Sequence, residues 1–291
     1  MKAIIDADSL VYIIGWYCKD LPQAASSYEQ VIKQTDDFMF KILQDCKATK
    51  YVGFMGGVHP TFRHMMNPEY KANRGTTKPD WYMKWGGVIS HRLFHYWRFN
   101  LIEGIEAEDA VSIMACNERF LSNIDHVIVH IDKDLNQIPG IHYNYKDGKT
   151  YIISISESEY NLYFQVLKGD RTDNVPGLKG CGDVGAKHYL NDTGLGYDFR
   201  DRTFNAFCSK LGNREGIIQF SNSYLMVCLL TGEQDGFKLS NYSYLPVPSK
   251  NTGVPEAYDV EKLFNLEGNE PKTTSTEEYF VPENKNPEEE A

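Results

Sequence analysis

The sequence predicts an α/β fold: a central, mostly parallel sheet flanked by helices. Three observations carry that reading. Continuous apolar runs of strand length recur as "KAIID" (2–6), "YVGFM" (51–55) and "HVIVHI" (126–131). Between them lie segments of helical length whose apolar residues recur near the helical period. Acidic doublets follow the strands, where an open parallel sheet gathers its ligand groups.

In order, "KAIID" is a short buried strand and "SLVYIIGWYC" the helix after it. From Tyr28 to Lys47, the residues Val31, Ile32, Phe38, Met39, Ile42, Leu43 and Cys46 keep helical spacing, and "YVGFM" resumes strand character, giving β-α-α-β. "NLIEG" (100–104) is a further strand, and "EAEDAVSIMACNERFL" (106–121) a helix with acids in its first turn. After "HVIVHI", the stretch "YNYKDGKTYIISI" reads as a hairpin turning on Asp147-Gly148. Ser156 and Glu159 stand in capping-box spacing and open the helix "SESEYNLYFQVLKG". "GLKGCGDVGAKHYL" (177–190) reads as a helix, a glycine-rich turn and a second helix, and residues 191–266 as mostly helical.

Composition fixes the class. With 42% hydrophobic and 13% aromatic residues, the 291-residue chain can bury a substantial core, which excludes wholesale disorder. No stretch reaches the roughly 18 apolar residues of a membrane span. Asp6 and Asp8 interrupt the only signal-like N-terminal run. The six cysteines are scattered without ligand spacing, as expected of free thiols in a reducing cytoplasm. A net charge of −10 argues at first against a nucleic-acid partner. Residues 267–291, however, hold eight acids against two lysines, a net of −6, in a segment with the composition of a disordered tail.

The remaining acids fall at one edge of the expected sheet. Asp6 ends the first strand, Glu106, Glu108 and Asp109 open a helix, Asp132 and Asp134 follow "HVIVHI", and Asp170 and Asp173 lie in "KGDRTDN". Any one doublet alone reads as a solvated turn or a helix-start charge. Four converging segments are costly unless cations fill them, and Mg²⁺, with Mn²⁺ as substitute, suits such hard oxygen ligands. Two such ions about 4 Å apart polarise a phosphodiester and activate water.

The basic side lies in "NPEYKANR" (67–74), with Tyr70, Lys71 and Arg74 together and Arg63 upstream, and in the basic and aromatic stretch from 75 to 99. Fixed cations neutralise charge on a reacting phosphate, and aromatics stack on unpaired bases. In the glycine-rich turn, backbone N–H groups at Gly180 to Gly182, with Gly185 and Lys187, can hold duplex phosphates without reading bases.

The series "IIDAD", "NPEYKANR", "EGIEAEDA", "HIDKDLNQIPG" and "KGDRTDNVPGLKGCGDVGAKH" resembles the flap endonuclease and 5′→3′ exonuclease superfamily, most of all its bacteriophage exonucleases and the 5′ nuclease domain of DNA polymerase I. The resemblance implies a PIN-like core in residues 1–155 with a helical arch at 68–98. It further implies a DNA-binding region at 156–266 containing a helix-three-turn-helix (162–190), ahead of the tail at 267–291. It assigns Asp6, Glu106, Glu108 and Asp109 to a tighter metal site and Asp132, Asp134, Asp170 and Asp173 to a second. Lys71 and Arg74 contact the scissile phosphate, Tyr70 stacks on the terminal base, and a potassium ion sits on carbonyls of the turn. The implied partner of the monomer is DNA with 5′ ends or flaps, or RNA:DNA.

In one respect the sequence departs from the family. Members usually carry an aspartate after the second strand, where Gly56 stands here, and Asp8 is an acid many members lack. Weakened metal affinity is the expectation. Two other readings compete: a DNA-structure binder that has lost catalysis, and a haloacid-dehalogenase-type phosphatase. Against the latter, "GDRTD" is one residue shorter than its GDxxxD motif, and the glycine turn is left unexplained.

Overall fold

The structure, a computed structural model, describes residues 1–75, 77–121, 126–191, 196–234 and 236–249. The expected acidic tail and residues 250–266 lie outside the described residues. Seven strands form one sheet: β1 (Lys2–Asp6), β2 (Lys50–Gly56), β3 (Asn100–Ile102), β4 (His126–His130), β5 (Gly140–Asn144), β6 (Lys149–Ile153) and β7 (Leu245–Pro246). The order is β3-β2-β1-β4-β5-β6; the first five of these strands run parallel, and β6 turns back against β5 as the expected hairpin. Strand order reverses between β1 and β4, which opens a crevice beyond their carboxyl ends.

Alternation along β1 decides which helices cover which face. Ala3 and Ile5 meet α1 (Asp8–Tyr17), α2 (Ala25–Asp45) and α4 (Asp80–His95) through Leu10, Ile14, Met39, Trp85 and Ile89. Ile4 faces α5 (Ala107–Leu121) through Val111 and Met114. A third core joins α6 (Ile155–Lys168), α7 (Asp183–Leu190), α8 (Gly196–Leu211) and α9 (Asn213–Val227) through Val166, Leu190, Phe207 and Val227. All six cysteines are free thiols, and among the described residues no helix is long and apolar enough to cross a membrane.

Three expectations are corrected. The helix expected at Ser156 starts two residues earlier: Ser154 accepts the Glu157 N–H at 3.2 Å while Glu157 accepts the Ser154 N–H at 2.8 Å. The segment 177–182 is turn, so the first helix before the glycines is α6. Residue 155 is no domain boundary, because 1–249 form one compact unit. Leu229 and Phe237 pack with Ile4 and Ile128, and β7 pairs antiparallel with the start of β2.

The arch shrinks for a related reason. Trp85, Ile89 and Leu93 lie on the inner face of α4 and are wholly buried. Arg92, expected among the basic groups facing nucleic acid, makes a two-point ion pair with Asp36 at 2.9 and 2.6 Å, and Trp97 Nε1 adds a third bond there at 2.9 Å. The linker between α3 (Phe62–Met66) and α4 carries exposed residues such as Arg74 and Lys78, but Tyr70 within it is buried in the third core.

Candidate metal and phosphate site

Each acid is set by the strand or helix that ends or begins beside it. Asp6 closes β1, and one of its oxygens accepts the Asp8 N–H at 3.3 Å, which turns the chain into α1. After β4 the chain enters a 3₁₀ turn (Lys133–Gln137); Asp132 caps it by accepting the Asp134 N–H at 2.9 Å, which fixes the Asp132 carboxylate, while the Asp134 carboxylate is held by Gln165. Glu108 projects from the first turn of α5. Glu108, Asp132 and Asp134 each bring an oxygen within 4.8 Å of the others, a donor set that fits one hard divalent cation. Together with Asp6, Glu106 and Asp173, the pair Glu108 and Asp132 lines a cleft of about 500 Å³ at the β1/β4 crevice.

Without a cation, Glu108, Asp6 and Asp134 resist ionisation. Burial, then the neighbouring Glu106, Asp132 and Asp134 carboxylates, raise the Glu108 carboxyl well above the usual range. Burial, then Asp8 and Asp132, do the same to Asp6. Asp134 is raised to about 6, first by burial and then by Asp132. A carboxyl raised in the fold contributes stability that is present below its unfolded value of about 4 and lost as pH rises through the folded value. The metal-free protein should therefore lose the stability contributed by Asp134 between about pH 4 and pH 6, and that contributed by Glu108 and Asp6 as pH rises through their raised values. Mg²⁺ should raise Tm more at pH 8 than at pH 5, read by thermal melts with Mg²⁺ or EDTA; equal shifts at both pH values would refute the assignment.

Cations from the 62–74 segment meet these acids. Arg63, only 1% exposed, donates to Glu106 at 2.9 Å and to both Asp109 oxygens at 2.5 and 2.9 Å. Its remaining N–H groups reach the carbonyls of Met226 at 3.0 Å and Cys228 at 2.9 Å. Lys71 has a left-handed backbone (φ 58°), a sparsely populated conformation for a side-chain-bearing residue, and its N–H bonds the Asp173 carbonyl at 2.9 Å. That geometry puts its ammonium on Glu106 and 3.7 Å from Asp173. Arg74 Nε bonds Asp173 at 3.1 Å. Burial lowers the Lys71 pKa, but Glu106, Glu108 and Asp173 outweigh it and leave the net shift upward, so Lys71 is charged.

The loop that carries Asp170 and Asp173 closes on itself. Asp170 and Val175 exchange both backbone bonds, at 2.8 and 2.7 Å, and Gly169 and Gly177, both at positive φ, pack so tightly that a side chain on either would collide with backbone of the other's segment. Lys133 donates to Asp170 at 2.6 Å. Gln165 donates to Asp134 at 3.0 Å and to Asp170 at 3.3 Å, tying the two acids together. Behind Asp132 lies a buried imidazole pair, His130 and His142, 2.8 Å apart and both pushed down to about 4 by burial first, hence neutral at pH 7.

A family model described as the 5′-3′ exonuclease, N-terminal resolvase-like domain, matches residues 2–161, more than half of the chain. The chain belongs to that family. Its relatives include the exodeoxyribonuclease of Enterobacteria phage T3, 31% identical over 133 residues, 45% of this chain and 43% of that protein. Another is DNA polymerase I of Rhizobium leguminosarum, 30% identical over 183 residues, 54% of this chain and 17% of the polymerase. The matched region thus spans less than half the length of these relatives. The fold is shared with a phage T5 flap endonuclease solved in a complex with DNA and metal ions, at a TM-score of 0.56 and 14% identity, over 78% of this chain and 89% of that one.

In this 5′-3′ exonuclease family member the acids that stand close enough to share one cation draw on both of the expected sets of four. The metal-ready triad takes Glu108 from one set and Asp132 and Asp134 from the other. Asp109 is wholly buried; one oxygen also accepts the Leu230 N–H at 3.0 Å and the other the Glu106 N–H at 3.1 Å, so it serves as the counter-ion of Arg63 and does not line the cleft. Tyr70 offers no face to a terminal base: it is 3% exposed, set edge-on to His64, and its hydroxyl donates toward Glu106 at 3.0 Å and Asp173 at 3.3 Å.

Open aromatic surface lies instead on α1, beside the cleft that Tyr12 lines. Tyr12 and the half-exposed Trp16 carry the rings of Trp81 and Tyr82 against them, with the Lys78 ammonium bonded to the Tyr12 hydroxyl at 2.5 Å. Their i, i+4 spacing after Asp8 was the available signal. Gly180 and Gly182 line a second cleft of about 860 Å³ with Asp170, Lys133 and Lys168. Gly182 caps α7, on which Gly185 fits beside Cys181 and Lys187 is exposed.

Proposed function

We propose that the chain is a metal-dependent 5′ nuclease that hydrolyses phosphodiester bonds near the 5′ ends or flaps of DNA. One observation carries this: carboxylates from β1, α5, the turn after β4 and the 169–177 loop meet Lys71 and Arg74 in a single cleft. Glu108, Asp132 and Asp134 would hold one Mg²⁺ or Mn²⁺, and Asp6, Glu106 and Asp173 are the acids available to a second. When bound, such ions supply Lewis acidity to the phosphate and lower the pKa of water. Lys71 and Arg74 bind and orient the phosphate, exchanging their carboxylate partners for its oxygens. The amides of Gly180 and Gly182 and the side chain of Lys187 would grip duplex backbone as a helix-three-turn-helix does, with K⁺ on the turn's carbonyls, while Tyr12 and Trp16 offer stacking faces to unpaired bases.

The test is cleavage of 5′-flapped and blunt duplexes, each labelled at either end, with Mg²⁺ or EDTA present. Metal-dependent products released from the 5′ side are expected, and an RNA:DNA duplex in parallel reports substrate preference. Tight binding with no cleavage in Mg²⁺ or Mn²⁺ would identify a DNA-structure binder and overturn the nuclease reading.

A further inference from the structure

We infer that Asp8, at the start of α1, supplies the cation-binding carboxylate that Gly56, at the end of β2, does not. The inference rests on the nuclease reading above. Asp8 is directed over β2, where one oxygen accepts the Gly56 N–H at 2.7 Å. A Cβ built on Gly56 would stand 3.0 Å from the other oxygen of Asp8, 3.5 Å from the first and 3.6 Å from Cγ. The carboxylate of Asp8 therefore borders the space that a side chain at 56 would enter. Gly56 is not among the glycines at positive φ, so the backbone makes no demand for glycine there. Glycine serves by leaving room, and a larger residue would press on Asp8.

What the carboxylate does in that space follows from its surroundings. The Gly56 amide orients Asp8 and leaves its second oxygen with no donor in hydrogen-bond reach among the described residues. Asp8 and Gly56 line the same cleft as Asp6, Glu106, Glu108 and Asp132. The cleft also carries Lys71 and Arg74, which stand near Asp8 but are bonded to Glu106 and Asp173, so the open oxygen of Asp8 remains available to a bound cation. The neighbouring Glu103 does not share this role: it stands against Gly57, accepts the His59 N–H at 3.3 Å and is not part of the cleft lining. The carboxylate has moved from strand to helix, and metal affinity is retained.

The test is direct Mn²⁺ binding to the metal-free full-length chain, followed by calorimetry and by the electron paramagnetic resonance signal of free Mn²⁺. Asp8→Asn keeps an acceptor for the Gly56 amide and should lower affinity at one site by about 10- to 100-fold, with an unchanged near-ultraviolet circular dichroism spectrum. The double variant Asp8→Ala with Gly56→Asp should return affinity to within a few-fold of the parent, while Gly56→Asp alone should not exceed the parent. Parental Mn²⁺ affinity in Asp8→Asn, or no recovery in a folded double variant, would overturn the inference. Asp134→Asn separates the two levels. If it loses Mn²⁺ binding while Asp8→Asn does not, the nuclease reading stands and only the role of Asp8 falls; if the parent chain binds no Mn²⁺, both fall.

Discussion

Arg63→Ala is expected to destabilise the protein by about 3–5 kcal/mol, because it leaves buried charge without a partner. The guanidinium makes five hydrogen bonds from a site 1% exposed: three to Glu106 and Asp109 and two to the carbonyls of Met226 and Cys228. Removing it strands Asp109, which has no exposed surface, and two main-chain acceptors. Arg63→Lys keeps the charge but lacks the fork that reaches acids and carbonyls together, so an intermediate loss is expected. Urea unfolding provides the measurement, with a lower midpoint and an unchanged slope as the anticipated result. A loss below about 1 kcal/mol in Arg63→Ala would contradict the pairing.

The second large effect carries opposite signs for activity and stability. Asp134→Ala should reduce Mg²⁺-dependent cleavage by about 10³-fold or more, since a metal site supplies several kcal/mol of charge stabilisation and each 1.36 kcal/mol is tenfold in rate. The same change removes one of three carboxylates that crowd within 4.8 Å, so the metal-free protein should melt no lower than the parent. The gain in Tm on adding Mg²⁺ should shrink at the same time. Cleavage rates and paired melts in Mg²⁺ and EDTA test both halves. An active variant, or one that is destabilised without metal, would show that Asp134 acts mainly as a structural acceptor for Gln165 and Lys133.

The sheet was legible because buried parallel strands are apolar on both faces, and the acids were legible because they follow those strands in the chain. What escaped involved choices settled only in three dimensions. "SISESE" holds two capping boxes, at 154/157 and 156/159, and local chemistry cannot rank them. The aromatics of 81–99 suggested nucleic acid, yet Trp85, Ile89 and Leu93 keep the four-residue spacing of a core stripe. Arg63 and Asp109 are 46 positions apart, and nothing in either segment alone marks one as the other's counter-ion. Tyr70 sits in a motif rich in phosphate-type residues but points inward. The two-residue strand β7 has no periodicity to detect.

The anchoring of Arg63 and Asp109 also bears on when the protein is made ready. Three of their partners, the Met226 and Cys228 carbonyls and the Leu230 amide, lie over a hundred residues downstream. On a ribosome, a chain elongated through Asp134 already holds Asp6, Glu108 and Asp132, but these three downstream partners have not been synthesised. The Arg63–Asp109 anchor beside the acid cleft is therefore complete only once residues 226–230 have been made, and a chain that stops short of them lacks three of its bonds.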